Sequence, residues 1–460
     1  MATINTVNPF TGAPVRTWKL MDLVASKELA SKSQKVFLDW KNIPAQDRAQ
    51  LVRNSLSYFE ENRETIAHDI TTQMGRPLVQ ARKEIDGLLE RGRYLCDIAP
   101  AILAPEKLPE HEYFQREISH IPHGVVLIIA AWNYPLLVAA SGVFAALLAG
   151  NTVLLKHSSR VLSIGEHFQR AFTQIDAHPG LIQPLVIDHA ITAQLIEEGE
   201  VQHVAFTGSV GGGKQIYASA AKCLIDCNLE LGGKDSAYVA PDADIKQSAE
   251  LLVDGAVYNC GQCCCGIERV YVHVDVVEPF LAECQRLMED YVLGDPLDAN
   301  TTLGPLAVAD SATLMETQIS EATTHGASIL FGGNMRNIGQ GTFFEPTLLT
   351  VNDNKLAIMQ EENFGPILPV MKVLNDEEAI AHINDSKYGL TAVICTSSID
   401  RAECFANATN VGTVYMNRCD YLDPALPWTG VKASGKGSSL SQYGLLAMTR
   451  PKSKHFRTHF

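Results

Sequence analysis

Three consecutive cysteines, Cys263 to Cys265, with Cys260 just upstream, form the most reactive group of side chains in the sequence. Clustered thiols support tetrahedral zinc binding, dithiol redox exchange or nucleophilic attack by a thiolate. Zinc would need a second pair of ligands, for which Cys223 and Cys227 are the candidates, but Cys227 is predicted on a strand. A redox dithiol usually opens a helix, whereas here the predicted helix comes before the cysteines. Both interpretations are therefore disfavoured.

The remaining interpretation is a single nucleophile with a base and an oxyanion donor. Gly261 and Gly266 flank the cysteines and allow a tight bend that presents one thiol. Glu230 ends the strand segment "LELGGK" and is a candidate base, and Asn133 in "WNYP" is a candidate amide donor. Each has a plainer alternative, since Glu230 suits an exposed strand end and Asn133 suits a turn before proline. Together with Cys264 they make a complete set for attack on a carbonyl.

Composition excludes several classes of partner. The chain has 460 residues, 46% of them hydrophobic and 19% charged, with a formal net charge of -15. These values predict a globular protein and disfavour binding to nucleic acid or anionic membranes, which need a basic surface. The 11 cysteines, an odd number, predict reduced thiols in the cytoplasm. The longest apolar segment is interrupted by polar residues and predicts a buried strand, helix and strand rather than a membrane span.

Periodicity predicts an α/β protein with two lobes. Residues 20–105 carry apolar residues at helical spacing. From "GVVLIIAAW" onward, continuous apolar runs alternate with helical segments, which is typical of a parallel sheet covered on both faces. A second alternating run begins near Asp235, so the cysteine cluster lies near the start of the second lobe.

The segment "GSVGGGK", residues 208–214, resembles the phosphate-binding loop of nucleoside triphosphatases. It follows a predicted strand and precedes a predicted helix, but Gln215 stands where that pattern needs Ser or Thr for magnesium. The loop therefore favours a dinucleotide pyrophosphate at a helix N-terminus, with a triphosphatase kept as an alternative.

The order of the motifs resembles the aldehyde dehydrogenase superfamily over nearly the whole chain. The matching segments are "NPFTG", "AWNYP", "GNTVLLK", "FTGSVGGGK", "LELGGKDSAYV", "NCGQCCCGIERV", "EENFGPILPV", "NDSKYGL" and "KASGKG". The resemblance implies two parallel-sheet α/β lobes, a Rossmann-like cofactor domain and a catalytic domain, with a small β arm for oligomerisation. The implied bounds are 1–108 and 123–232 for the cofactor domain, 233–435 for the catalytic domain, and 109–122 and 436–460 for the arm.

The resemblance also implies roles for individual residues. Cys264 is expected to be the nucleophile, Glu230 the general base and Asn133 the side-chain donor of the oxyanion hole. The expected cofactor is NAD or NADP. Its expected contacts are Trp132, Lys156, Ser159, Gly208, Ser209, Gly213, Glu362 and Phe364. No metal ligand is expected, and Cys263 and Cys265 are interpreted as structural neighbours with some liability to oxidation.

The implied reaction is oxidation of an aldehyde to a carboxylic acid through a cysteine thioester that water hydrolyses. Two departures from the family pattern bear on it. Ser159 stands where NAD-preferring members usually carry Glu, and the adjacent Arg160 is a candidate contact for a 2′-phosphate, so NADP is expected to be accepted. The alternative is that Arg160 points to solvent. Residues 438–440 read "SSL" rather than the family's "GRE", which leaves Glu230 as the only expected water-activating carboxylate.

By the same comparison, Tyr134, Ser141, Leu422 and Trp428 are expected to line the substrate channel. None of these positions is an arginine, which favours a neutral aldehyde over succinate semialdehyde, although "LLKH" resembles enzymes that act on the latter. A CoA-acylating enzyme and a catalytically silent relative are kept as alternatives, and Glu230 and Cys264 oppose them respectively. A homodimer or homotetramer is expected.

Overall fold

The computed structural model describes residues 2–109 and 111–459. Residues 1, 110 and 460, which fall within the predicted cofactor domain and arm, lie outside the described residues. The chain begins with a short hairpin, followed by the predicted helical region. The elements are β1 (Thr3–Val7), β2 (Pro14–Lys19), α1 (Leu23–Trp40), α2 (Ala45–Glu61), α3 (Arg63–Met74) and α4 (Leu78–Ile102).

The first α/β lobe follows two strands of a small sheet. Its strands alternate with helices as predicted. The elements are β3 (Glu106–Lys107), β4 (Phe114–Pro122), β5 (Val125–Ala130), α5 (Pro135–Leu148), β6 (Thr152–His157), α6 (Leu162–Gln174), β7 (Ile182–Pro184), α7 (His189–Glu197), β8 (His203–Thr207), α8 (Val210–Lys222) and β9 (Cys227–Glu230).

The second lobe begins with the strand after "LELGGK". Its elements are β10 (Asp235–Val239), α9 (Ile245–Val257), β11 (Ile267–His273), α10 (Val277–Met288), α11 (Ser311–Thr324), β12 (Ser328–Phe331), β13 (Met335–Ile338), β14 (Gly341–Phe344), β15 (Thr347–Val351), α12 (Ala357–Gln360), β16 (Ile367–Val373), α13 (Asp376–Asn384), β17 (Thr391–Cys395), α14 (Ile399–Ala408) and β18 (Thr413–Met416).

The final residues return to the first lobe and the small sheet. They form β19 (Gly435–Lys436), α15 (Ser441–Ala447) and β20 (Thr449–Arg457). β19 pairs with β9 at the edge of the first sheet, and β20 pairs antiparallel with β4 along its whole length. Of the segment 436–460 that was predicted to form part of the arm, β20 is therefore the part that belongs to the small three-stranded sheet.

The first sheet has the order β19-β9-β8-β5-β6-β7, and its pairs from β9 to β7 are parallel. All six residues of β5 and of β6 are buried, because helices cover both faces. The chain runs from β5 outward through β6 and β7, then crosses back to β8. This reversal creates a crevice beyond the carboxyl ends of the central strands, where ligands bind in such sheets.

The second sheet has the order β12-β15-β16-β11-β10-β17-β18, with only β12 antiparallel to its neighbour. Six of the seven residues of β11 are buried, because this strand lies at the centre of the sheet between β10 and β16. The structure confirms the predicted fold class: two parallel-sheet α/β lobes with a small antiparallel sheet.

Candidate active site

The segment that carries Cys264 is a strained bend between α9 and β11. A 3-10 turn, Tyr258–Gly261, ends α9, and Asn259, Cys260 and Gly261 all have positive φ. A Cβ on Gly261 would lie 2.1 Å from the carbonyl group of Gly365, so only glycine fits there. The predicted tight bend is thus present, and Gly261 is the residue that requires it.

Asn133 lies in the turn between β5 and α5. Pro135 is the first residue of α5, a position that proline favours. Its backbone carbonyl accepts hydrogen bonds from the buried Arg76 and, at 3.2 Å, from the Asn259 side chain. The same Asn259 amide bonds to the carbonyl of Gln262, at 3.0 Å. One side chain therefore connects the Asn133 turn to the cysteine bend.

A buried ion pair supports this turn from below. Arg76 and Glu84 pair with their side chains at most 1% exposed, and the Arg76 Nε atom donates to the Asn259 Oδ1 at 3.0 Å. The Glu84 Oε1 accepts the backbone N–H groups of Leu136, at 2.7 Å, and Leu137, at 3.1 Å. A carboxylate at the N-terminus of α5 is favourable because the first N–H groups of a helix lack partners.

Two donors near Cys264 have no partner within the described chain. The Asn133 side-chain amide makes no hydrogen bond there although the residue is only 4% exposed, and the backbone N–H of Cys264 makes none either. Unpaired donors next to a nucleophile match an oxyanion hole. Hydrogen bonds from the Cys263 and Cys265 thiols lower the pKa of Cys264 to about 6, which favours the reactive thiolate.

Glu230 ends β9 and faces the same cavity. Its Oε2 accepts from the Thr207 hydroxyl at 3.3 Å. Burial raises the pKa of Glu230, against the opposing effects of a hydrogen bond from Ser439 and the positive charge of Arg91. A carboxyl group with a raised pKa suits a general base. Ser439 belongs to the segment "SSL", which replaces the "GRE" of the family pattern. This segment therefore supplies a hydroxyl to Glu230 in place of a second carboxylate.

One cavity of about 640 Å³ joins these groups. The predicted catalytic residues and all four predicted substrate residues line it: Asn133, Tyr134, Ser141, Glu230, Cys264, Leu422 and Trp428. The structure thus brings together the catalytic and substrate residues predicted from the sequence.

The cavity also contains a cation that the sequence comparison missed. Arg91, on α4, is 7% exposed and donates from Nη1 to the Ser141 hydroxyl at 3.0 Å and to the Leu137 carbonyl at 3.1 Å. Its Nε and Nη2 have no partner among residues 2–109 and 111–459, and the residue lines the cavity. None of the four channel positions named from the sequence is an arginine, but Arg91 reaches the cavity from α4, so the argument for a neutral aldehyde from those four positions does not hold.

The predicted cofactor residues lie outside the lining of this cavity. We call Lys156, Ser159 and the turn from Gly208 to Gly213 the carboxyl edge of the first sheet. Lys156 is 6% exposed, and its ammonium has no partner in the described part of the chain. Ser159 is exposed on the turn after β6, and Ser209 caps α8 by accepting from the Gly212 N–H at 3.2 Å.

Close packing explains two glycines of this edge. A Cβ on Gly208 would lie 2.8 Å from the Phe206 ring, and one on Gly213 would lie 2.5 Å from the Leu231 side chain. Arg160, the candidate for a 2′-phosphate contact, donates from Nη1 to the Ala307 carbonyl at 2.7 Å. Arg160 is nevertheless an exposed residue, so both a 2′-phosphate contact and a position in solvent remain compatible with the structure.

The other cofactor candidates lie on the loop before β16. Glu362 accepts the Gly233 N–H at 3.0 Å, and Phe364 packs edge-on against Trp132 at 5.5 Å between ring centroids. A second buried pair, Lys234 with Glu268 at 2.7 Å, holds this loop through the Phe364 N–H. Phe364 itself has a positive φ of 55°.

Comparison with known proteins identifies the class. The chain belongs to the aldehyde dehydrogenase family, whose model matches residues 1–454, and it is an oxidoreductase. This assignment excludes the triphosphatase alternative for the glycine loop.

Two relatives and one solved structure illustrate the match. The chain is 32% identical to the NADP-dependent succinate-semialdehyde dehydrogenase of Deinococcus radiodurans, covering 97% of this chain and 93% of the relative. It is 31% identical to the 3,6-anhydro-alpha-L-galactose dehydrogenase of a Vibrio species, covering 95% and 92%. The structure of succinic semialdehyde dehydrogenase from Streptococcus pyogenes in complex with NADP superposes with a TM-score of 0.94 at 28% identity, covering 99% and 100%.

Proposed function

We propose that the protein oxidises an aldehyde to a carboxylic acid with NADP or NAD, through a thioester on Cys264 that Glu230-activated water hydrolyses. The observation that carries this proposal is the shared cavity, in which a thiol of lowered pKa, a carboxyl of raised pKa and unpaired donors meet. Relatives that use NADP support the choice of cofactor.

The residues divide the reaction between them. The Cys264 thiolate adds to the carbonyl carbon, and the Asn133 amide and the Cys264 N–H hold the resulting alkoxide. Bound NADP or NAD supplies the hydride acceptor, and loss of hydride leaves a thioester on Cys264. Glu230 then takes a proton from water, whose oxygen attacks the thioester and releases the acid and the thiol. Because Glu230 is retained, hydrolysis is favoured over transfer to CoA.

The carboxyl edge of the first sheet fits a dinucleotide. The unpaired Lys156 ammonium suits ribose hydroxyls, and the N-terminus of α8 with its small residues suits a pyrophosphate. Glu362, beside Gly233, and Phe364, beside Trp132, complete the set on the facing loop.

Arg91 favours a second, narrower candidate: an aldehyde that also carries a carboxylate, such as succinate semialdehyde. A buried guanidinium with two free donors lacks only an anion, and carboxylates bind such groups strongly. Relatives named for succinate semialdehyde support this candidate.

The first test is a panel of short aliphatic, medium-chain and aromatic aldehydes with either cofactor, followed by reduced-nicotinamide absorbance. Succinate semialdehyde and 4-aminobutanal, which have equal chain length and opposite charge, form the critical pair. Cys264→Ala should abolish turnover with every substrate, and turnover that persists would refute the proposal. At a pH above the acidic limb of the rate profile, Arg91→Met should lower kcat/KM for succinate semialdehyde alone, and Arg91→Lys should restore part of it. Equal losses for both members of the pair would reject the carboxylate candidate.

We also propose the domain bounds given above, a cytoplasmic location and a homodimer or homotetramer. All eleven cysteines are free, which suits a reducing compartment. No helix in the described ranges is long and apolar enough to cross a membrane. β20 is an edge strand with Phe456 exposed, and an edge strand can pair with a second subunit. Sedimentation at several protein concentrations tests the oligomer.

A further inference from the structure

Two of the three adjacent cysteines, which form no covalent bond in the proposed reaction, belong to a second cluster of side chains. The Sγ atoms of Cys263 and Cys265 lie 3.5 Å apart. Asp420, far away in the sequence, places its Oδ1 3.1 Å from the first and 3.2 Å from the second. Among the described residues, this is the one group of three or more metal-ligating side chains whose ligand atoms all lie within 4.8 Å of one another.

The cluster lacks a positive charge. Cys263 is 4% exposed, Cys265 is 2% exposed, and no Lys, Arg or His of the described ranges pairs with the Asp420 carboxyl. Asp420 itself is partly exposed, so its carboxyl, which has no cation among its described neighbours, is open to one from solvent.

The arrangement is close to that of a coordinated ion. Tetrahedral zinc with Zn–S near 2.3 Å and Zn–O near 2.0 Å places two sulfurs about 3.8 Å apart and a sulfur and an oxygen about 3.5 Å apart. The cluster would have to open by only a few tenths of an ångström. The three residues also line the cavity of Cys264, so an ion can reach them from solvent.

We propose that Cys263, Cys265 and Asp420 form a binding site for a thiophilic divalent cation of the Zn²⁺ class, and that its occupation inhibits the enzyme reversibly. Binding releases the protons of both thiols to solvent and leaves two thiolates and a carboxylate on the ion. The bound ion then lies in the cavity of Cys264, beside the nucleophile and in the space that an aldehyde must enter. A water completes the coordination.

The binding test uses Zn²⁺ alone, with a non-thiol reductant, followed by equilibrium dialysis and elemental analysis. One ion per chain is expected in the native protein, in Cys264→Ser and in Cys404→Ser, the latter a matched control because Cys404 is exposed. Cys263→Ser/Cys265→Ser and Asp420→Asn should each bind at least tenfold more weakly. Unchanged affinity in the double variant, or loss of binding in Cys264→Ser, would overturn the proposal.

A second measurement tests the same site in the native protein, so it does not require that any variant folds. Cd²⁺ added to the native protein should give the ultraviolet charge-transfer absorbance of two thiolates, reaching its limit at one equivalent. Absorbance equal to that of one thiolate or none would contradict the site.

The inhibition rests on the proposed function, whereas the binding does not. Zn²⁺ should suppress aldehyde oxidation at least tenfold, and a chelator should restore it. An enzyme that binds one Zn²⁺ at the cluster and keeps its full rate would reject the inhibition while leaving the site intact. A chain without dehydrogenase activity would refute the proposed function, and the dialysis result would still decide the site.

Discussion

The cavity of Cys264 and the carboxyl edge of the first sheet differ in how their polar groups are satisfied. Around the cavity, the buried Arg76–Glu84 pair and Asn259 fix the backbone of Asn133 before any ligand arrives. At the carboxyl edge, Lys156 is buried without a partner. The backbone of Asn133 is therefore held by the protein itself, whereas Lys156 at the carboxyl edge, like Arg91 within the cavity, leaves charge for a ligand to satisfy.

The largest expected effect is on the supports of the cavity. Arg76→Ala leaves the Glu84 carboxylate buried and unpaired, which should lower the free energy of unfolding by about 3–5 kcal/mol. Aldehyde oxidation should fall as well, because the Asn133 carbonyl loses its hydrogen bond from Arg76, and Asn259, which also holds that carbonyl, loses its own bond from Arg76. Denaturant unfolding measures the first effect and aldehyde oxidation the second.

The control for this prediction is Arg63→Ala, since Arg63 forms an exposed pair with Asp86 at 2.6 Å. That change should cost less than about 1 kcal/mol. Equal losses from the two variants would show that the buried pair does not support the site.

The carboxyl edge should respond in the opposite way. Lys156→Met removes a buried, unpaired ammonium, so thermal stability should be unchanged or higher. The loss of a charged hydrogen bond to a ligand, about 1.5–3 kcal/mol, should raise the Kd of NADP and NAD by about ten- to a hundredfold. Calorimetric titration measures both constants. Lys214→Met, at an exposed position on α8, is the control, and a similar rise there would contradict the role of Lys156.

The pH dependence sharpens the comparison within the cavity. Hydrolysis needs the Glu230 carboxylate, and burial raises the pKa of this group above its usual 4.5. The rate of thioester hydrolysis should therefore fall as the pH falls through this raised pKa. Arg91→Met removes a positive charge that lowers the pKa, so the acidic limb should move to higher pH. An acidic limb at the same pH in Arg91→Met and the native enzyme would show that Arg91 does not affect the pKa of Glu230.

The smallest effect is expected at Arg160. One of its amino groups is already bonded to the Ala307 carbonyl, which leaves the others for a 2′-phosphate. Arg160→Ala should raise the KM for NADP by about two- to tenfold, equivalent to roughly 0.5–1.5 kcal/mol, and leave the KM for NAD unchanged. Steady-state kinetics with both cofactors gives the answer, and equal changes for the two would remove Arg160 from the specificity for NADP.

The sequence predicted the elements whose structure depends on neighbouring residues along the chain. The runs "VVLIIA" and "TVLLKH" are entirely buried strands, as their continuous apolar character indicated. The positions of Cys264, Glu230 and Asn133 followed from motif order. Nothing local marked Arg76, Arg91 or Asp420, because each matters through side chains far away in the sequence.

The most direct test of the central claim is the intact mass of Glu230→Gln after incubation with an aldehyde and NADP. The account predicts one acyl group per chain on Cys264, formed with about one equivalent of reduced cofactor, because the thioester forms but is hydrolysed slowly. Cys264→Ala should show no adduct. A Glu230→Gln enzyme that reduces cofactor continuously without accumulating an adduct would contradict the claim that Glu230 activates the hydrolytic water.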